Sequence, residues 1–121
     1  MKRLIFDLDG TIACIDRDYA SAIPKQGVVE KLREYKDKGF EIVISTSRNV
    51  RTHAANEGKI NKETLPIILS WLEEHKIPFD EIYVGKPWCG YEGFYIDDKA
   101  VRPSEFENLS YEQIRDLLGK E

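Results

Sequence analysis

Arg3-Leu4-Ile5-Phe6-Asp7-Leu8-Asp9-Gly10-Thr11 is the stretch on which the reading of this chain turns. Leu4, Ile5 and Phe6 make an apolar run too short for a helix, and it ends in acidic residues and a glycine. Such a run reads as a buried strand entering a loop. In sheets built from buried parallel strands, ligands sit in the crevice beyond the carboxyl ends of the strands. Asp7 and Asp9 stand at that end of the first strand, which makes them candidates for chemistry rather than for solvation.

The chain downstream repeats the pattern. Val28, Val29, Leu32 and Tyr35 recur at helical spacing and Gly39 follows as a stop, so a helix is predicted there. Phe40 to Ser45 is apolar and β-branched, a second strand. Residues 48–61 are polar and read as a loop or a loosely helical segment. Asn61 is the expected cap of a helix running to about His75, with Leu65, Ile68, Leu69 and Leu72 facing inward. Pro66 is tolerable there because it falls in or near the first turn. Pro78 ends that unit, and Glu81 to Val84 and Gly93 to Ile96 are two further short strands. Ser110 followed by Gln113 is a capping-box signature for a last helix carrying Ile114, Leu117 and Leu118. Alternating strands and helices predict a three-layer α/β fold, a mostly parallel central sheet with helices on both faces.

Composition narrows the function. A length of 121 residues fits one domain, spanning 1–121, with a single core. Hydrophobic residues at 41% and charged residues at 33% are ordinary for a folded domain. A net charge of −4 argues against a nucleic-acid partner, since no basic surplus exists to neutralise a phosphate backbone. It leaves room for a small phosphorylated substrate met by a local cation. No run approaches the ~20 apolar residues of a membrane span, and the start lacks the apolar core of a signal peptide. Cys14 and Cys89 lack CxxC spacing, which argues against zinc, and two free thiols suit a reducing cytoplasm.

The polar signals all follow predicted strands. Asp7-Leu8-Asp9-Gly10-Thr11 follows the first, Thr46-Ser47-Arg48 the second, Gly85-Lys86-Pro87 the third and Asp97-Asp98 the fourth. Taken singly, each has a plain structural reading: a turn, a strand-end hydroxyl, a solvated lysine, a helix cap. Their joint occurrence at four successive strand ends points instead to one crevice. Two acidic pairs, a lysine and a hydroxyl are what Mg²⁺-assisted phosphoryl transfer requires, because a hard cation takes carboxylate oxygens and positive groups offset phosphate.

At this point the chain resembles a known family. Asp7-Leu8-Asp9-Gly10-Thr11 matches the DxDx[TV] motif of haloacid dehalogenase-like phosphatases, and Thr46, Lys86 and Asp97-Asp98 stand in the order of that family's remaining motifs. The resemblance runs from residue 3 to about residue 103. The stretches Thr46-Ser47-Arg48-Asn49, Gly85-Lys86-Pro87-Trp88-Cys89-Gly90 and Asp97-Asp98-Lys99 are also similar to small capsule-biosynthesis phosphatases. The resemblance implies a Rossmann-like fold. It implies that Asp7 attacks phosphorus and becomes an aspartyl-phosphate. Asp9 then protonates the leaving oxygen and later deprotonates water. Thr46 would bind a phosphoryl oxygen and Lys86 would offset charge. Mg²⁺ would be held by Asp7, the Asp9 carbonyl and Asp98, with Asp97 on a metal-bound water or the two roles exchanged.

Between Gly10 and Val28 there is room only for a short flap, and between Arg48 and Lys86 for one helix, one strand and the polar loop. No cap domain is therefore expected. A capless site suggests a homo-oligomer, for example a tetramer, whose residues 49–60 rim the crevice. Gly10, Thr11, Ser47, Arg48, Asn49, Arg51, His53 and Trp88 are the candidate substrate-binding residues, and a phosphosugar of surface-polysaccharide synthesis is the substrate the resemblance favours. Two rivals stand beside this reading. One is a binding or scaffolding protein that kept the fold and lost activity. The other is a phosphoacceptor receiver module, disfavoured because receivers place the acidic pair first and the phosphoacceptor later, the reverse of the order here.

Overall fold

Arg3–Asp7 forms β1, and both of its edges are paired. On one side it runs parallel to β2 (Glu41–Ser45), with Asp7 opposite Ser45. On the other it runs parallel to β4 (Phe94–Ile96), with Phe6 opposite Ile96. β3 (Glu81–Tyr83) lies outside β2 with Tyr83 opposite Ser45, which gives a four-stranded parallel sheet in the order β3-β2-β1-β4. The parallel sheet with helices is the α/β architecture expected from the strand–helix alternation, and it is the small Rossmann-like fold that the family resemblance implies. The computed structural model describes residues 2–15, 18–49, 53–54, 56–84 and 91–120.

Between β1 and β2 the chain forms α1 (Gln26–Asp37). It ends where expected: Gly39 takes a φ of +91°, and the Phe40 N–H reaches back to the Tyr35 carbonyl at 3.1 Å. A positive φ at that position is costly for any residue with a Cβ. Leu4, Phe6, Ile42 and Ile44 project to one face of the sheet and join Val29 and Leu32 of α1 in the main core. Ile5 and Val43, one residue out of phase, are buried on the opposite face, as the two-residue period of a strand demands. After β4 come α4 (Pro103–Asn108) and α5 (Tyr111–Gly119), the latter capped reciprocally by Ser110 and Gln113. Among the described residues no helix is long and apolar enough to cross a membrane.

The helix after β2 departs from expectation. It starts five residues early, at α2 (Glu57–Lys59), and Asn56 rather than Asn61 caps it by accepting the Lys59 N–H at 3.1 Å. Ile60–Thr64 then widens into π-helical turns, with the Leu65 N–H bonded to the Ile60 carbonyl, before α3 (Leu65–Glu74). Pro66 explains the widening. In a helix that begins at Glu57 it lies well past the first turn, where its ring would crowd the preceding turn and its missing N–H would orphan a carbonyl. The added turn also rotates the inner face. Ile68, Trp71 and Leu72 are buried, Leu65 is partly so, and Leu69 is 41% exposed rather than inward. Trp71 donates its indole N–H to the Ala22 carbonyl at 2.8 Å, tying α3 to the segment after β1. Leu72→Ala should therefore cost about 2–5 kcal/mol of unfolding free energy and Leu69→Ala under ~1 kcal/mol, as read by urea denaturation. Equal losses would contradict this helix register.

Candidate active site

The strand register brings the sequence signals to one edge. Asp7 is level with Ser45 of β2 and with the residue after Ile96 of β4, so Asp7, Thr46 and Asp97-Asp98 leave the sheet together. Carboxylate oxygens of Asp7, Asp97 and Asp98 lie within 4.8 Å of one another. The Thr11 hydroxyl, buried, sits 3.1 Å from Asp7 Oδ2 and 3.4 Å from Asp98 Oδ1, with one proton to donate between them. The turn that delivers Thr11 is tight: the N–H groups of Thr11, Ile12 and Ala13 all point at the Leu8 carbonyl. Gly10 has a φ of +87°, and a Cβ there would collide with the Asp98 carboxylate. Close approach of β1's loop to Asp98 thus requires glycine.

Crowding has an electrostatic consequence. Burial first, then the hydrogen bond with Asp98 and the charge of Asp97, push the Asp7 carboxyl up to about 7. Like charges at this range disfavour joint ionisation. The donor set is all oxygen and largely carboxylate, which fits a hard divalent cation such as Mg²⁺, and a cation there would relieve the repulsion.

Asp9 lies in a different environment. Arg48 forks onto it, with Nε donating to Oδ2 at 3.0 Å and Nη2 to Oδ1 at 2.6 Å. Tyr19 lies under the guanidinium, 4.0 Å from the ring centroid. Thr46 is buried, and its hydroxyl oxygen accepts the Arg48 main-chain N–H at 3.0 Å. Asn49, at a φ of +60°, accepts the Thr64 hydroxyl at 2.8 Å, and His53 meets Glu63 at 3.2 Å. Arg48, Asn49 and His53, expected to meet substrate, are each held by the protein itself, whereas Ser47 is exposed. Arg51, Lys86 and Trp88 lie outside the described residues. Tyr19 was not among the candidates. It sits in a mixed segment with no periodicity, and only its proximity to Arg48 in space reveals it.

The family model of the haloacid dehalogenase-like hydrolases matches residues 4–119. The chain belongs to that family. A crystal structure of a structural-genomics target from Vibrio cholerae is similar, with 59% identity, a TM-score of 0.69, and 99% and 98% of the two chains covered. A chain of the Pnkp1/Rnl/Hen1 complex shares the fold at 17% identity and a TM-score of 0.50, covering 88% of this chain and 34% of that one. The replication factor C small subunit of Methanocaldococcus jannaschii is 28% identical over 131 residues, and this chain spans 7% of that protein's length. As a haloacid dehalogenase-like hydrolase, the chain carries its acidic residues where the sheet opens.

These electrostatics predict a metal response. An acid whose folded pKa exceeds its unfolded value binds a proton on folding. In EDTA the fold should therefore lose stability as pH rises from about 4 towards about 7. Mg²⁺ at pH 7.5 should raise the melting temperature, because a ligand that binds only the native state stabilises it. Asp98→Asn should melt higher than wild type in EDTA and gain nothing from Mg²⁺. A full Mg²⁺ shift in Asp98→Asn, read by scanning fluorimetry, would refute this cation site.

Proposed function

We propose that this hydrolase is a Mg²⁺-dependent phosphomonoesterase that works through an aspartyl-phosphate on Asp7. The observation that carries the reading is the meeting of Asp7, Asp97 and Asp98 within 4.8 Å at one sheet edge, in a chain of this family. Asp7 Oδ attacks phosphorus, the bond to the leaving oxygen breaks, and that oxygen takes its electron pair and a proton from Asp9. Asp9, now a carboxylate, then takes a proton from water as the water attacks phosphorus. The Asp7–phosphorus bond breaks and inorganic phosphate departs. Thr46 and Lys86 hold phosphoryl oxygens in this reading. Asp7, the Asp9 carbonyl and Asp98, with Asp97 beside them, would hold Mg²⁺, which would supply positive charge opposite the phosphoryl group.

The substrate in this proposal is a small phosphosugar of capsule or surface-polysaccharide synthesis. Its support is the likeness of Thr46-Ser47-Arg48-Asn49 and Asp97-Asp98-Lys99 to capsule-biosynthesis phosphatases. A cytoplasmic location belongs to the same proposal, supported by the free thiol of Cys14. Assembly into a homo-oligomer does too. Ile15 and Ile23, in the segment following β1, are 76% and 68% exposed, and apolar side chains left in water favour association. The site needs water excluded by something when substrate is bound, and a neighbouring copy can do this.

Asp7→Asn should abolish Mg²⁺-dependent release of phosphate from a phosphosugar panel, with the circular dichroism spectrum unchanged. Retained turnover would refute the nucleophile. Sedimentation velocity at assay concentration should show a species larger than a monomer, and a single 14.0 kDa monomer would refute the assembly.

A further inference from the structure

Arg48 is the residue whose surroundings disagree most with its expected role. Its side chain is 1% exposed and that of Asp9 is 28% exposed. Two of its donors are spent on the two oxygens of Asp9, and the guanidinium rests on Tyr19. Its main-chain N–H is anchored on the Thr46 hydroxyl. A bidentate fork of this kind fixes both distance and plane, which a lysine ammonium cannot do. Asp9 has need of such a fix. It lies two residues past the end of β1, in a turn, where a short side chain left alone would sample several rotamers. The fork engages one lone pair on each carboxylate oxygen and leaves another on each for a proton.

From this geometry we infer that Arg48, with Tyr19 behind it, is a positioning residue that orients the Asp9 carboxylate. The inference rests on the phosphatase reading, in which Asp9 delivers a proton to the leaving oxygen and recovers one from water. In this inference the role of Arg48 is exerted through Asp9, on which its Nε and Nη2 are spent, and not on the phosphoryl or leaving group directly. Orientation matters because proton transfer in the transition state falls off steeply once the donor leaves hydrogen-bond range. The fork therefore couples β2's end, through Arg48, to the acid/base on β1's loop.

The test compares two esters with the full chain in Mg²⁺. In p-nitrophenyl phosphate the leaving oxygen departs with little need of a proton; in ethyl phosphate it needs one. Arg48→Met and Arg48→Lys should each lower kcat on ethyl phosphate by about 10²-fold or more. On the aryl ester the loss should be below about 10-fold, with KM nearly constant on both. Added to Asp9→Asn, Arg48→Met should cost little more, because one acts through the other. Equal losses on the two esters, losses carried in KM, full multiplication in the double variant, or an Arg48→Lys enzyme as fast as wild type would each overturn the inference. If the Arg48 variants do not fold, Tyr19→Leu carries the test. It should show a smaller loss confined to ethyl phosphate, and an unselective loss or none would overturn the inference. Failure of wild type itself to hydrolyse either ester would instead remove the phosphatase reading on which the inference stands.

Discussion

Three carboxylates packed within 4.8 Å set the conditions for the rest of this molecule. Partial burial and their repulsion lift Asp7 towards neutrality, the wrong state for the nucleophile proposed for it, and make its ionised state unfavourable for the fold. Local chemistry is arranged to tolerate the crowding. Thr11 places a hydroxyl between Asp7 and Asp98. Gly10 lacks the Cβ that would collide with the Asp98 carboxylate. The β1–β4 ladder holds the two strand ends level, so that the carboxylates cannot drift apart without breaking sheet hydrogen bonds. A platform that concentrates negative charge would become favourable with a cation bound, since a ligand held by the native state alone stabilises it.

Asp9 shows that the same five-residue motif serves two electrostatic purposes. Asp7 is turned to the anionic cluster, whereas Asp9 is turned the other way, into the fork of Arg48. Alternation along an extended segment would put residues two apart on the same side, so the turn beginning at Leu8 is what separates them. Placing one carboxylate against its own kind and the other against a guanidinium gives two acids of one type different electrostatic surroundings, which is what the separate roles proposed for them call for. The separation depends on backbone conformation and not on residue choice, since both are aspartates.

Support for Arg48 comes from further away than its neighbours in sequence. Asn49, at a positive φ, hands its side-chain oxygen to the Thr64 hydroxyl, and Thr64 lies in the π-helical turns that Pro66 makes necessary. The distortion therefore has two consequences. It presents Thr64 to the loop after β2, and it turns Leu69 outward while Trp71 turns in to reach Ala22. Because Ala22 adjoins the segment that carries Tyr19, the ring beneath Arg48 and the neighbouring Asn49 are both braced by one irregular helix. π-helical turns cluster at functional sites in other proteins for a similar reason: they place a side chain where a regular helix would not.

The parts of this protein legible in its sequence share one property: they depend on residues close together in the chain. The strands follow from short apolar runs. The α1 stop follows from Gly39, and the α5 cap follows from Ser110 and Gln113. Asp7, Thr46 and the Asp97-Asp98 pair were legible because parallel strands carry their ends to one edge whatever the details between. What escaped detection depends on distance. Asn56 outcompetes Asn61 as a cap because the π-turns let the helix continue through Pro66 from an earlier start. Arg48 reads from sequence as a group reaching for substrate because its charge is visible there and its partner is not. A guanidinium buried beside a carboxylate thirty-nine residues away leaves no periodic or local trace. Charge tells that a partner exists; only the fold tells whether that partner is the ligand or the protein's own acid.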